Sequence, residues 1–484
     1  MFIRNLAAWI AASAAVIVAG CGGGGASGPG NPPVVPPTVS IQVVPASVAV
    51  GANAALTWSS TGATSCVASG AWSGAEPVAS TTGAPATVSQ SSAGSYSYAL
   101  ACSGAGGSAS ATAVLTVALT IPQRIAAAQA TANNADANSS CGAISQNPSG
   151  SDDGFYWEIG DQNGIVADAG SGLMAAGSVQ PAGTSGTNYT RVTSLLIASS
   201  SKWLSGSYIA ELTATQQNGQ WQLPPAYVPF LNFTSGYDNM AENCPGLTTP
   251  TVQDCLNRLN GLGGSAVPNG TITTSDIGHF YYNSGHLEVI EAGADPAVAG
   301  AVSGASDGDA ALAAALMNTF SARNVNVALS FVAPVMAGGV QTTAADYAEF
   351  LKGLIRVTNP LIMSSFLRPA AMDPYAVCTN PSSPACVDAS GNPLARYAPV
   401  PPNISWHYSI THWIEDDPVT GDGAYSSPGK FGFYPWVDAS KTYYGILARY
   451  DNNPVLAPQN APYYKSAVCG ASIRKAFVTG LQQN

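Results

Sequence analysis

Apolar and polar residues alternate in short runs between positions 38 and 120, the period of two that half-buried strands require. The runs at 39–44, 54–58, 95–102 and 108–117 are separated by Gly, Asn and Ser. About 80 residues patterned in this way predict an all-β sandwich. From Ile121 the pattern changes. An Ala-rich stretch at 122–132 reads as a helix, and 154–159 and 164–169 read as two strands joined across Gly160-Asp-Gln-Asn163. Near the far end, 432–438 and 442–450 form another hairpin across Ala439-Ser-Lys441, and a last helix covers 461–481. Strands at both ends with helical and irregular sequence between them predict an α+β unit over 121–484. Its antiparallel sheet would be assembled from distant parts of the chain.

Residues 1–20 read as an export signal. Arg4 supplies the positive start, and the apolar run 7–18 is too short to span a bilayer comfortably. Its ending, Val18-Ala-Gly-Cys21, resembles the lipobox of bacterial lipoproteins. That resemblance implies an acylated Cys21 as the mature N-terminus of a cell-envelope lipoprotein, on the periplasmic or surface side of an outer membrane. Cys21 would then be the only contact with the membrane. A plain signal peptide with a chance cysteine is the alternative. Residues 21–37 are Gly/Ser-rich and then Pro-rich, a tether with no means of burying a core.

Composition fits export. Of 484 residues 46% are hydrophobic and only 9% charged, so Ser, Thr, Asn and Gly must cover much of the surface. A net charge of −11 without a Lys/Arg patch excludes nucleic acid as a partner. Nine cysteines less Cys21 leave eight, an even set that predicts disulfides in an exported chain. Cys66–Cys102 would staple the sandwich, worth roughly 3–4 kcal/mol by loop entropy. Cys141–Cys469 would tie the two ends of the α+β unit, and Cys244–Cys255 and Cys378–Cys386 would each close a local loop. Without a C-x-x-C, and with four His not placed as cysteine partners, the spacing does not read as a zinc site.

The candidate chemistry centres on Ser199-Ser-Ser-Lys202, after the apolar, β-branched run 192–197. A hydroxyl needs a base beside it to act as a nucleophile at neutral pH. If a helix begins at Ser199, a residue three positions on shares its face, so Lys202 is that base. The free amides of the first turn would favour developing negative charge. Ser427-Pro-Gly-Lys430 repeats the spacing. Two competitors exist. Gly304-Ala-Ser306-Asp-Gly308 fits a G-x-S-x-G elbow but lacks the buried strand that must precede one. A Ser-His-Asp triad would need His279, His286, His407 or His412, each of which reads better as packing or cleft residue.

Four further stretches follow in order: 230–237 with Thr234-Ser-Gly236, then Tyr281-Tyr-Asn283, then 338–351 beginning Gly338-Gly, and then 427–438. Together with Ser199-x-x-Lys202 they resemble the serine β-lactamase and penicillin-binding-protein superfamily, nearest to class C β-lactamases and family VIII esterases, over roughly 125–484. The resemblance implies Ser199 as nucleophile, Lys202 and Tyr281 as the proton-transfer pair, and Asn283 as a substrate contact. It also implies an oxyanion held by the amides of Ser199 and a residue near 429–432. The third family motif, often Lys-Thr-Gly, aligns with Ser427-Pro-Gly429 or Lys430-Phe-Gly432, giving Ser427, Gly429 and Lys430 as substrate-binding candidates. Losing that cationic motif favours esters over β-lactams.

The segment 56–66 resembles small immunoglobulin-like modules of bacterial surface proteins, although Trp58 precedes Cys66 and Leu100 replaces the usual Tyr before Cys102. A spacer role is expected for 38–120, with glycan or polymer contact as the alternative. The expected activity is that of an exported carboxylesterase acting on a small-molecule ester, through an acyl-enzyme and with no metal or organic cofactor. β-Lactamase or D-Ala-D-Ala carboxypeptidase action on an amide is the runner-up. A surface binding protein on the same fold without turnover is the reading from another class.

Overall fold

The computed structural model describes residues 35–80, 85–134, 140–142, 154–165, 175–180, 187–240, 244, 250–260, 267–300, 302, 304–452 and 458–483. The export signal, Cys21 and most of the tether lie outside the described residues. The chain divides at Ala118/Leu119 into two compact units.

The first unit is all β. Thr38–Val44, Ala54–Thr61 and Ala86–Val88 form a three-stranded sheet. Ser47–Ala49, Gly107–Ala118, Gly94–Gly104, Ser65–Gly70 and Gly74–Glu76 form a five-stranded one in that order. Alternate side chains of the two long strands point inward, and Leu56, Trp58, Tyr98, Leu100, Leu115 and Val117 make the core. Cys66 and Cys102 are directly opposed on neighbouring strands, so their disulfide lies within one sheet and does not bridge the two. The Trp58 indole donates to the carbonyl of Pro77 at 2.8 Å and meets Trp72 edge-on at 5.2 Å.

The second unit carries a large antiparallel sheet built from both ends of its sequence. Phe155–Asp161, the first long strand, pairs with Tyr444–Ala448, the last, through Gly160 opposite Tyr444 and Tyr156 opposite Ala448. The sheet then continues through Tyr434–Val437, Ala424–Ser426, Trp413–Glu415, His407–Tyr408 and Val377–Cys378. Trp436 faces Gly445 across the central pair, and a Cβ on 445 would run into its indole. The helices Ile121–Ala132 and Pro462–Thr479 pack together. Cys141–Cys469 ties the same ends, and Cys244–Cys255 and Cys378–Cys386 close shorter loops.

Buried Arg474 fastens the last helix to the sheet. It donates to Glu415, Asp422 and the Tyr434 hydroxyl, each at 2.8 Å. A buried charge is tolerable only when paired in this way. The helix Ser201–Thr213 is buried on nearly every face, as the mixed apolar and small residues around it require. Helix Ala344–Ile355, whose Thr343 hydroxyl accepts from the Asp346 amide at 3.1 Å, lends it Tyr347.

Candidate active site

Ser199 sits at the junction of three elements. Strand Leu195–Leu196 pairs with Val340–Thr342, the 3-10 turn Ala198–Ser200 follows, and the Ser201–Thr213 helix begins. A 3-10 turn nearly eclipses residues three apart, which brings Ser199 and Lys202 together. Ala198 has a φ of 44°, a left-handed conformation that costs a non-glycine residue about 1–2 kcal/mol. The surroundings hold it there. Ser200 donates its hydroxyl to the carbonyls of Ser427 (2.6 Å) and Phe433 (3.1 Å). Ser201 donates to the Ala198 carbonyl at 2.6 Å and accepts from the Val340 amide at 3.2 Å. Tyr347 donates to the Ser200 carbonyl at 2.9 Å, and Ser427 to the Ser199 carbonyl at 3.1 Å. Of the three consecutive serines, two are consumed in fixing the backbone. Ser199 alone of the three lines a cavity.

Lys202 is buried, with its ammonium donating to Ser199 Oγ at 3.1 Å and to the Ala337 carbonyl at 2.9 Å. The same nitrogen lies 4.9 Å from the centre of the Tyr282 ring. Behind it, Glu288 accepts from the amides of Met336 and Ala337, each at 3.0 Å. Burial pushes Glu288 up to about 7, against the lowering pull of those two amides and of Lys202. The peptide of Ala337 thus bridges the lysine and the glutamate. One helical turn further on, Glu291 is pushed up to about 8 by burial and then by Glu288 and Asp307, and neither oxygen has a hydrogen-bond partner among the described residues.

The structure separates the two adjacent tyrosines. Tyr282, not Tyr281, stands over Lys202 and lines the cavity with Ser199. Tyr281 turns to the Tyr397 ring at 5.4 Å. Burial raises its pKa first, with Asp238, Tyr397 and Asp276 adding to the rise. Tyr282 thus occupies the position over the lysine at which Tyr281 was expected. The signal was present in the sequence. Residues two apart on a strand share a face, so Tyr282 goes with buried Phe280 and Tyr281 faces away.

Asn283, expected as a substrate contact, is engaged within the protein. Its amide accepts from Met240 N (3.2 Å) and Gly285 N (2.9 Å) and donates to Met240 O (3.2 Å). Ser427 is likewise spent on the Ser199 backbone. Gly429 serves by lacking a side chain, since a Cβ there would run into the Ile197 carbonyl. Its amide donates to Phe433 O at 2.7 Å and that of Gly432 to Gly429 O at 2.8 Å, so neither is left for an oxyanion. Lys430 is exposed and contributes to the cavity wall.

The histidines do structural work. His286 donates from Nε2 to the Tyr281 carbonyl (3.0 Å) and accepts at Nδ1 from Ser235 (2.7 Å). Burial lowers it to about 3, so it is neutral, stacked on Phe233. His412 is lowered to about 4, again by burial, and stacks on Trp203. His407 pairs with Asp416, and His279 has a buried Nδ1. Ser306 lies exposed in a turn before helix Asp309–Ser321 and is no strand-end elbow.

The cavity beside Ser199 holds about 200 Å³. Tyr282, Tyr397, Trp406, Trp413, Tyr463 and Tyr464 dominate its wall, with Pro399, Pro428 and Val400 between them. Most of these rings are far apart in sequence, and no local pattern marks them. Among the described residues no cluster of His, Cys, Asp and Glu could hold a metal ion. The arrangement suits nucleophilic attack by Ser199 on a carbonyl, with the Lys202 amine taking the proton.

No family model matches this chain, and no curated protein matches it. Solved structures similar to it include a β-lactamase from Mycobacterium bovis, 12% identical, covering 67% of this chain and 95% of that one, with a TM-score of 0.37. Simvastatin synthase from Aspergillus terreus is 14% identical over 69% and 94%, with a TM-score of 0.39. EstCE1, a hydrolase with promiscuous acyltransferase activity, is 12% identical over 72% and 98%, with a TM-score of 0.35.

Proposed function

We propose that this protein is an exported serine hydrolase whose leading activity is that of a carboxylesterase. The observation that carries the reading is the 3.1 Å contact between Ser199 Oγ and the buried Lys202 amine at the mouth of a cavity. In its neutral form Lys202 accepts the Ser199 proton as Oγ attacks the ester carbonyl. The proton then passes to the departing alkoxide, with Tyr282, whose ring lies against the lysine, as relay. Within 429–432 the Gly429 and Gly432 amides are engaged, so the oxyanion would be held by the Ser199 amide together with that of Lys430 or Phe431. Water then releases the acid from the acyl-enzyme.

Lys430 on the cavity wall favours a second reading, in which a substrate carboxylate meets its ammonium, as in a β-lactam or a D-Ala-D-Ala peptide. The N-terminal β unit is read as an immunoglobulin-like spacer, and Cys21 as a lipid anchor in the cell envelope. The test is a fluorophosphonate probe followed by peptide mapping, beside turnover of p-nitrophenyl acetate and nitrocefin. Labelling at Ser199 with ester turnover supports the carboxylesterase. Faster nitrocefin turnover favours the second reading. A folded protein without label or turnover would return the site to a binding role.

A further inference from the structure

Aromatic side chains make up most of the wall of the Ser199 cavity. We propose that it is a subsite for a single planar aromatic ring, so that the substrates are esters carrying one such ring within a bond or two of the carbonyl or of the ester oxygen. This rests on the serine-hydrolase reading and narrows it.

Volume is the first argument. An apolar cavity of about 150 Å³ accepts benzene, and this one holds about 200 Å³. It therefore takes one ring with a short link.

The walls are the second. Trp413 stacks on Tyr282 at 5.3 Å and 27°, Trp406 meets Trp413 edge-on at 6.0 Å, and Tyr464 lies 6.4 Å from Trp406. These contacts fix the wall rings against one another, and what they leave facing the cavity can meet a guest ring in the offset or edge-to-face contacts that aromatic rings prefer.

Rigidity is the third. Trp413 and Trp406 are both buried, Trp413 lies on a sheet strand, and the Trp406 carbonyl accepts from Thr379 at 2.6 Å. Pro399 and Pro428 stiffen the rest of the lining. A preformed slot of this kind loses little on binding a flat, rigid group. Charge adds a direction, because Lys430 is the one formally charged residue among those lining the cavity.

The experiment compares esters of equal carbon count that differ in planarity. Ethyl phenylacetate against ethyl cyclohexylacetate tests the ring on the acyl side. Benzyl acetate against cyclohexylmethyl acetate tests it on the alcohol side. Single ring contacts are worth roughly two- to tenfold, so the aromatic member should lead by at least about tenfold in kcat/KM in one arm. The lead should fall to about threefold or less in Trp406→Leu. Tyr464→Leu, at a less buried position, should cut it too and serves if Trp406→Leu folds poorly. Equal rates in both arms, or a lead unchanged in both variants, would overturn the subsite. If p-nitrophenyl acetate is still turned over and Ser199 still labelled, the subsite alone falls. If neither happens, the hydrolase reading falls with it.

Discussion

The Lys202 ammonium lies 4.9 Å from the centre of the Tyr282 ring, one residue past the tyrosine that the Tyr-x-Asn spacing singles out. Phenylalanine would keep the ring over the cation and lose only the hydroxyl. Tyr282→Phe should therefore lower kcat/KM for esters by about 10²–10⁴-fold, the usual worth of a proton-transfer group. Tyr281→Phe should stay within a few-fold of the parent. Steady-state kinetics on both variants check this, and the reverse ranking would restore Tyr281.

Lys202→Met preserves length and packing but removes the base. Turnover should fall by several orders of magnitude, and adding Ser199→Ala should make it little worse, because the two groups act as one unit. Without its cation, Glu288 loses a lowering influence and should titrate higher. Kinetics with far-UV circular dichroism separates lost chemistry from lost fold.

Glu291 should make the protein less stable in alkali. Its carboxyl is raised from an ordinary 4.5 to about 8 by burial, so the folded chain holds the proton more tightly than the unfolded one. The stabilisation is full below about pH 4.5 and is lost as pH rises towards about 8, at most about 5 kcal/mol. Glu291→Gln cannot ionise. Its melting temperature should drop less between pH 5 and pH 8 than that of the parent, as differential scanning calorimetry would read. A parallel fall in both proteins would reject the claim.

Gly429→Ala should cost activity out of proportion to its size. The new methyl would press on the Ile197 carbonyl and on Ser200 Oγ, which hold the turn bearing Ser199. Gly338→Ala, where a Cβ meets open space, is the control and should remain active. Parallel labelling rates with the fluorophosphonate probe distinguish the two.

Cys21→Ser should release the protein from membranes if the lipobox is processed. Cell fractionation with and without detergent checks this, and unchanged membrane association would remove the anchor.

Much of the second unit can be read before folding, for identifiable reasons. The runs at 155–159 and 444–448 alternate or carry β-branched and aromatic residues, and the terminal helices have Pro at their first turns. Ser199 and Lys202 are close in sequence, so local helix geometry relates them. Tyr281 and Tyr282 differ in which face of the chain they occupy, a difference that matching Tyr-x-Asn by spacing alone does not read. Glu288 reaches Lys202 through the Ala337 peptide, and the cavity rings come from 282 to 464. Such relations are set by tertiary packing, which no window of sequence contains.

The pairing of Gly160 with Tyr444 also has a meaning in time. Almost three hundred positions separate these partners. At roughly 5–20 residues per second, a ribosome needs roughly 15–60 seconds to deliver the second after the first. Throughout that interval one side of the strand Phe155–Asp161 has no neighbour to complete it, and such an open edge invites mispairing. The order of synthesis thus runs against the order of assembly, and this edge stays open until about nine-tenths of the given sequence has been made.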